Sequence, residues 1–109
     1  MPFGLNWTSL EDLIILKSRF GAFVPGSSDL HVRLQERGID TLVISGTLSH
    51  VCCDTTARDA MMMNYKVFFI TDANATTTEA EHGATLTGLA SAFCDVRDTK
   101  SVLGLIAAA

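Results

Sequence analysis

An α/β fold is predicted, with a doubly wound parallel sheet flanked by helices, and three observations predict it. Short apolar runs alternate with helix-length segments. The runs Leu42-Val43-Ile44 and Val67-Phe68-Phe69-Ile70 are apolar at every position, the pattern of strands buried on both faces of a parallel sheet. The connections are short, as right-handed crossovers in such folds are. The 109 residues make one domain's worth, 1–109, and 48% hydrophobic against 18% charged residues is a core-forming composition.

The elements follow in order. Asp12-Leu13-Ile14-Ile15-Leu16 is an apolar run read as a strand. Phe20 to Ser28 holds Gly21, Pro25, Gly26 and two serines and reads as a loop. Ser28 or Asp29 caps a helix running to Arg37, with Leu30 and Leu34 on one face and Gly38 closing it. Thr41–Ile44 is the next strand, and Gly46-Thr47-Leu48-Ser49 a turn. A helix spans about His50 to Asn64, with Val51, Ala57, Ala60 and three Met making much of it apolar. Val67–Ile70 is a strand and Asp72–Thr77 a polar loop. Thr78-Glu79-Ala80-Glu81 has the spacing of a capping box. Leu86, Leu89, Ala90 and Phe93 then share a helical face. Cys94-Asp95-Val96 is a short strand, and Thr99 to Ile106 a last helix.

Composition excludes several classes. Eight basic against twelve acidic residues give a net charge of −4, the wrong sign for a nucleic-acid footprint, so no nucleic-acid partner is expected. No apolar run reaches the ~18 residues of a membrane span, so no membrane partner is expected. Met1-Pro2-Phe3 has no basic region leading an apolar one, so no signal peptide is expected. Three Cys, two of them adjacent, are not a disulfide framework, and a cytoplasmic location is expected. No Gly-x-Gly-x-x-Gly or Walker pattern follows any strand, which weighs against a nucleotide-binding module.

Ligands in doubly wound sheets sit beyond the carboxyl ends of the strands. That directs attention to Lys17–Phe23, Gly46–Cys53 and Thr71–Thr76. Cys52 stands out, because it arrives near the first turn of a buried helix. Unpaired helix N–H groups and the macrodipole favour a thiolate there, and the same groups can hold a developing oxyanion. The alternative is that Cys52 and Cys53 are small core residues. Only one of two adjacent residues is expected to face a pocket, so Cys53 is read as core. Lys17, at the end of another apolar run, is either a partner for that thiol or a snorkelling strand terminator. Arg58 and Asp59 are read as a structural ion pair or surface charges, and His31 and His82 as surface or helix polar residues. Met61-Met62-Met63 is read as core packing or subunit contact.

The segment Gly46-Thr47-Leu48-Ser49-His50-Val51-Cys52-Cys53-Asp54-Thr55-Thr56-Ala57-Arg58-Asp59-Ala60 resembles the nucleophile segment of the isochorismatase-like cysteine hydrolases. Lys17-Ser18-Arg19-Phe20-Gly21-Ala22-Phe23 resembles that family's Lys-x-Arg-x-Ser-Ala-Phe. Arg37 to Ile44 resembles the helix end and strand before the nucleophile turn, and Tyr65 to Ala73 its Tyr-x-Val-x-x-x-x-Asp-Ala. His82 falls where the family commonly has a His. The matches run in order from Trp7 to Phe93.

The resemblance implies that Cys52 is a nucleophile attacking a carbonyl carbon and Lys17 the catalytic lysine that orients and polarises it. It implies a cis peptide at Thr47-Leu48, with the backbone N–H groups of Leu48 and Cys52 aimed at the oxyanion. Phe20, Phe23, Ser49 and His50 would contact the substrate. Leu48 stands where the family has Ala, and Ser49 where it has Thr. The implied reaction is hydrolysis of a small-molecule amide or related C–N bond through a thioester. No cofactor is expected, and no metal, because the metal ligands of the family's nicotinamidases come from a segment this sequence lacks.

One element of the family pattern is missing, namely the catalytic Asp of a Leu-x-x-x-Asp-x-Gln segment after the first strand. Glu11 and Asp12 precede the Lys17 run and do not replace it. In a sheet of order 3-2-1-4-5-6 the chain would keep only strands 3 to 6, leaving the Lys17 strand two places from the Leu42 strand. An exposed apolar edge invites pairing, so a homo-oligomer is expected. The alternative to an active hydrolase is a truncated, catalytically impaired homologue that at most binds ligand.

Overall fold

Residues 12–109 are described by a computed structural model, and the readings at Met1–Phe3, Trp7 and Glu11 lie outside them. Three strands, β1 (Thr41–Thr47), β2 (Lys66–Ala75) and β3 (Asp95–Arg97), form a parallel sheet in that order. Helix α1 (Leu30–Glu36) precedes β1. A π-helical turn, Ser49–Cys53, leads into α2 (Asp54–Met62), which returns the chain to β2. Helix α3 (Glu79–Ala92) joins β2 to β3, and α4 (Thr99–Ala108) follows β3. Among the described residues, no helix is long and apolar enough to cross a membrane.

The two-residue period of a strand sorts β2 into two faces. Val67 and Phe69 join Cys53, Ala57, Ala60, Tyr65 and Leu89 in the core, so α2 and α3 cover that face. Small residues Ala57 and Ala60 on α2 let the helix lie close over the sheet, and both are fully buried. On the other face Phe68 and Ile70 meet Val102 of α4. This second layer does not extend over β1. Val43, expected to be buried, is 47% exposed, while Leu42 and Ile44 pack on the core side. Burial on both faces therefore holds for β2 and not for β1, which among the described residues is an edge strand.

The expected strand at Asp12–Leu16 does not form. That run pairs with no strand among the described residues, and Leu16 is 85% exposed. A strand needs a neighbour's N–H and C=O groups, and among the described residues the sheet ends at β1. The other departures are extensions. Gly46 and Thr47, read as a turn, continue β1 and pair with Asn74 and Ala75 across an irregularity after Ile44. The segment 72–75, read as loop, is thereby strand. Asn74 holds this bulge, because its side-chain amide donates to Ile44 O at 2.9 Å and Ile70 O at 2.7 Å.

The helix ends follow from local chemistry. Ser28 Oγ accepts from the Leu30 N–H, and Asp29, the residue at the cap position, instead pairs with Arg33. At the other end Gly38 (φ +66°) donates to Gln35 O and Ile39 N–H to Leu34 O, a Schellman closure. Asn64 (φ +72°) ends α2 in the same way, with Tyr65 N–H donating to Ala60 O. Thr78 caps α3 by accepting from Glu81 N–H. The Glu81 carboxylate accepts from the Thr77 and Thr78 hydroxyls. On α3, Leu86, Leu89 and Phe93 face the core, but Ala90 is exposed. Met63 packs on the core, and Met61 and Met62 are exposed.

Candidate active site

A cleft of about 290 Å³ opens along the edge of β1 that no other strand pairs among the described residues. It is walled by Val43 to Thr47, by Lys17 and Ala22 of the preceding loop, and by Cys52, Cys53 and Thr56. It lies at the end of β1 where the chain turns into α2, the place the parallel topology favours for a ligand.

The turn that delivers Cys52 is built from Gly46 onward. Gly46 has φ +131°, a backbone state open to glycine, and a Cβ there would stand 3.8 Å from Cys53 Sγ. The Thr47–Leu48 peptide is cis. The Leu48 carbonyl accepts from the N–H groups of Val51 and Cys53, both at 3.2 Å, which starts the π turn carrying Cys52. Leu48 itself is partly exposed.

Lys17 reaches the cleft from a self-bonded loop. Its Nζ donates to the carbonyls of Arg19 at 2.9 Å and Phe20 at 3.1 Å, which holds the ammonium over the loop's base. Ser27 ties the loop together, with its hydroxyl donating to Gly21 O and its carbonyl accepting from Ser18 N–H. Ala22 N–H donates to Thr56 Oγ1 at 3.1 Å and fastens the loop to α2. Gly21 is required there, since a Cβ would lie 2.9 Å from Thr55 Cγ2.

Both cysteines border the cleft, and Cys53 is buried in the core, as expected from its position beside Cys52, while Cys52 is the more open of the two. Burial pushes the Cys53 thiol up to about 11, Cys52 adds to this, and Lys17 opposes it. Cys53 is thus a neutral thiol at ordinary pH.

Other expected site residues stand elsewhere. Phe20 is 68% exposed, and Phe23 packs on Tyr65 and His31, so Ala22 occupies the cleft position between them. The Ala22 N–H bond to Thr56 sets that residue, and neither ring, against α2 at the cleft. Ser49 is fully buried, with Oγ 2.7 Å from His82 Nδ1, and no face of it is open to a substrate. His50 Nε2 lies 2.7 Å from Glu81 Oε2 and Nδ1 2.7 Å from Thr76 Oγ1, so both ring nitrogens are engaged away from the cleft. His82, read as an ordinary polar residue, is half-buried and bonded through both nitrogens, the second to Thr71 O at 2.9 Å. Arg58 pairs with Asp54 at 2.7 Å and stacks on Phe93, not with Asp59. His31 Nδ1 meets Tyr65 Oη at 2.7 Å.

Sequence reasoning missed Thr56 and Ala22. Thr56 stands four residues after Cys52, one helical turn on, so helical spacing could have found it. No Asp or Glu is among the described residues lining the cleft. Among the described residues, no three His, Cys, Asp or Glu side chains converge as metal ligands would.

Comparison with known proteins places these features in a family. The family model described as the isochorismatase domain matches residues 4–101. The chain is 36% identical over 97 residues to nicotinamidase 3 of Arabidopsis thaliana, covering 85% of this chain and 48% of that one. It is 39% identical over 84 residues to a probable inactive nicotinamidase of the same plant, covering 76% and 42%. The crystal structure of a cysteine hydrolase from Pseudomonas syringae pv. phaseolicola 1448A superposes with a TM-score of 0.85 at 32% identity, covering 92% of this chain and 51% of that one. The chain spans about half the length of the relatives it matches.

Proposed function

The chain belongs to the isochorismatase family, and on that premise we propose that it is a cysteine hydrolase of small-molecule C–N amide-type bonds. The observation that supports this reading is the cleft shared by Lys17 and Cys52. In the proposed reaction Cys52 Sγ attacks the carbonyl carbon and the C–N bond breaks. The nitrogen leaves with a proton as ammonia or an amine. Water then opens the Cys52 thioester, giving a carboxylic acid and restoring the thiol. The developing oxyanion is met by backbone N–H groups at Leu48 and Cys52. Lys17, its ammonium held by two carbonyls, lines the same cleft and supplies a positive charge there.

The proton acceptor that a cysteine nucleophile needs is a carboxylate, as the family resemblance implies. The cleft lies along the edge of β1 away from β2, so a strand laid parallel to β1 would bring the residue after its carboxyl end to Cys52. A carboxylate at that place completes the site. Without one, the site falls to a second reading, a catalytically impaired homologue that binds ligand. Losing one member of a catalytic unit costs orders of magnitude in rate, so the two readings differ sharply in the turnover they predict.

A hydrolysis screen of small primary amides tests the proposal, with nicotinamide first because the Arabidopsis relative carries that name. The chain and its Cys52→Ala variant are compared side by side. Turnover that disappears in the variant is the expected result. Equal signals from the two would favour the ligand-binding reading. The three free thiols suit the reducing cytoplasm in which such an enzyme would work.

A further inference from the structure

We propose that His82 is a positioning residue for Cys52, acting through Ser49; this rests on the cysteine-hydrolase reading. Neither His82 nor Ser49 lines the cleft, so neither touches a substrate. Their effect is on the turn that carries the thiol.

Ser49 is the first residue of the π turn, and it is fully buried. A buried hydroxyl needs a partner, and this one has His82 Nδ1 at 2.7 Å. The other ring nitrogen, Nε2, faces Thr71 O at 2.9 Å. A carbonyl oxygen only accepts, so Nε2 carries the proton, and in the neutral ring Nδ1 accepts from the Ser49 hydroxyl. The imidazole is therefore a strut from β2 to the start of the turn, three residues before Cys52.

A second strut lies beside it. His50, the next residue of the turn, bonds Glu81 of α3 at 2.7 Å and Thr76 at 2.7 Å. Consecutive residues 49 and 50 thus meet consecutive residues 82 and 81 in reverse order. Adjacent side chains of a helical turn diverge by roughly 100°. Two bonds from adjacent positions fix the rotation of the turn as well as its place, and with it the direction of Cys52. The Thr78 hydroxyl and, after it, that of Thr77 anchor Glu81 in turn and hold its carboxyl below the usual range, with His50 adding to that effect.

The test is alkylation of the full chain by iodoacetamide across pH 6 to 10 (roughly the range in which thiols titrate). Peptide mapping separates Cys52 from Cys94, the internal reference. His82→Ala is expected to slow Cys52 by about tenfold and to displace its pH profile, with Cys94 unchanged. His82→Gln, which can donate to Thr71 and accept from Ser49, is expected to restore most of the rate. Ser49→Ala, a smaller deletion, is expected to slow Cys52 in the same direction and serves if His82→Ala does not fold. A reactive Cys52 that neither variant alters overturns the positioning role alone. Slowing shared by Cys94, or not reversed by Gln, means general loosening and also overturns it. A wild-type Cys52 no faster than Cys94 overturns the hydrolase reading, and the positioning role with it.

Discussion

The backbone N–H of Ala22 donates to the Thr56 hydroxyl at 3.1 Å, and this bond registers the Lys17 loop on the helix that follows Cys52. Lys17 and Cys52 come from segments with no sheet contact between them, so their relation depends on such side-chain ties. Thr56→Val keeps the shape and removes the acceptor, leaving the buried Ala22 N–H unpaired. A loss of about 1–3 kcal/mol is expected in urea unfolding. Cys52 alkylation is expected to change along with it, and an unchanged unfolding midpoint would show that the loop is held some other way.

The glycines separate close approach from simple helix propensity. Gly21→Ala drives a Cβ to 2.9 Å from Thr55 Cγ2 and is expected to cost about 1–3 kcal/mol. Gly83, inside α3, has nothing within 4 Å of the added carbon. Gly83→Ala is expected to stabilise by about 0.5–1 kcal/mol through helix propensity. Opposite shifts in thermal midpoint check the pair together.

Alkaline pH acts through the thiols. Burial raises both Cys53 and Cys94 to about 11, from an ordinary value of 9.0. The folded state keeps protons that the unfolded state releases, so between about pH 9 and pH 11 unfolding takes up the advantage. Stability is expected to be full below pH 9, to fall as pH rises toward 11, and to lose its thiol-dependent slope above that. Urea midpoints across that range check the trend. In Cys94→Ala the slope is expected to be shallower, and an identical slope would remove Cys94 from the account.

The oligomer expectation turns on the edge of β1, which no strand pairs among the described residues. A strand edge is self-complementary under a two-fold axis, since two copies of β1 can pair antiparallel and satisfy each other. Val43, exposed beside the apolar side chains Leu103 and Ile106 of α4, would be covered by such pairing. Light scattering is expected to give a dimer mass for the chain and a monomer mass for Val43→Lys. A monomer mass for the unaltered chain would refute the pairing.

Much of the fold was legible because its signals are local. The continuously apolar run Val67–Ile70, the Gly38 closure and the Thr78 cap each depend on a few adjacent residues. The Asp12–Leu16 run shows the limit. Its apolar composition suits a strand, but strand formation is decided by a neighbour, and among the described residues the sheet ends at β1. Val43 fails for the same reason, as its composition promised a second covering layer that α4 gives only to β2.

The site divides along the same line. The sequence by itself determined the family pattern, the parallel α/β order, and the placing of Cys52 in the turn after a strand. These follow from spacing along one chain. Only the tertiary structure decided that Ala22 and Thr56 wall the cleft, and that Phe20, Ser49 and His50 turn elsewhere. It also paired His82 with Ser49 across 33 residues of sequence. Hydrogen bonds of that kind join side chains brought together by the packing of α3 on the π turn, and no local pattern encodes them.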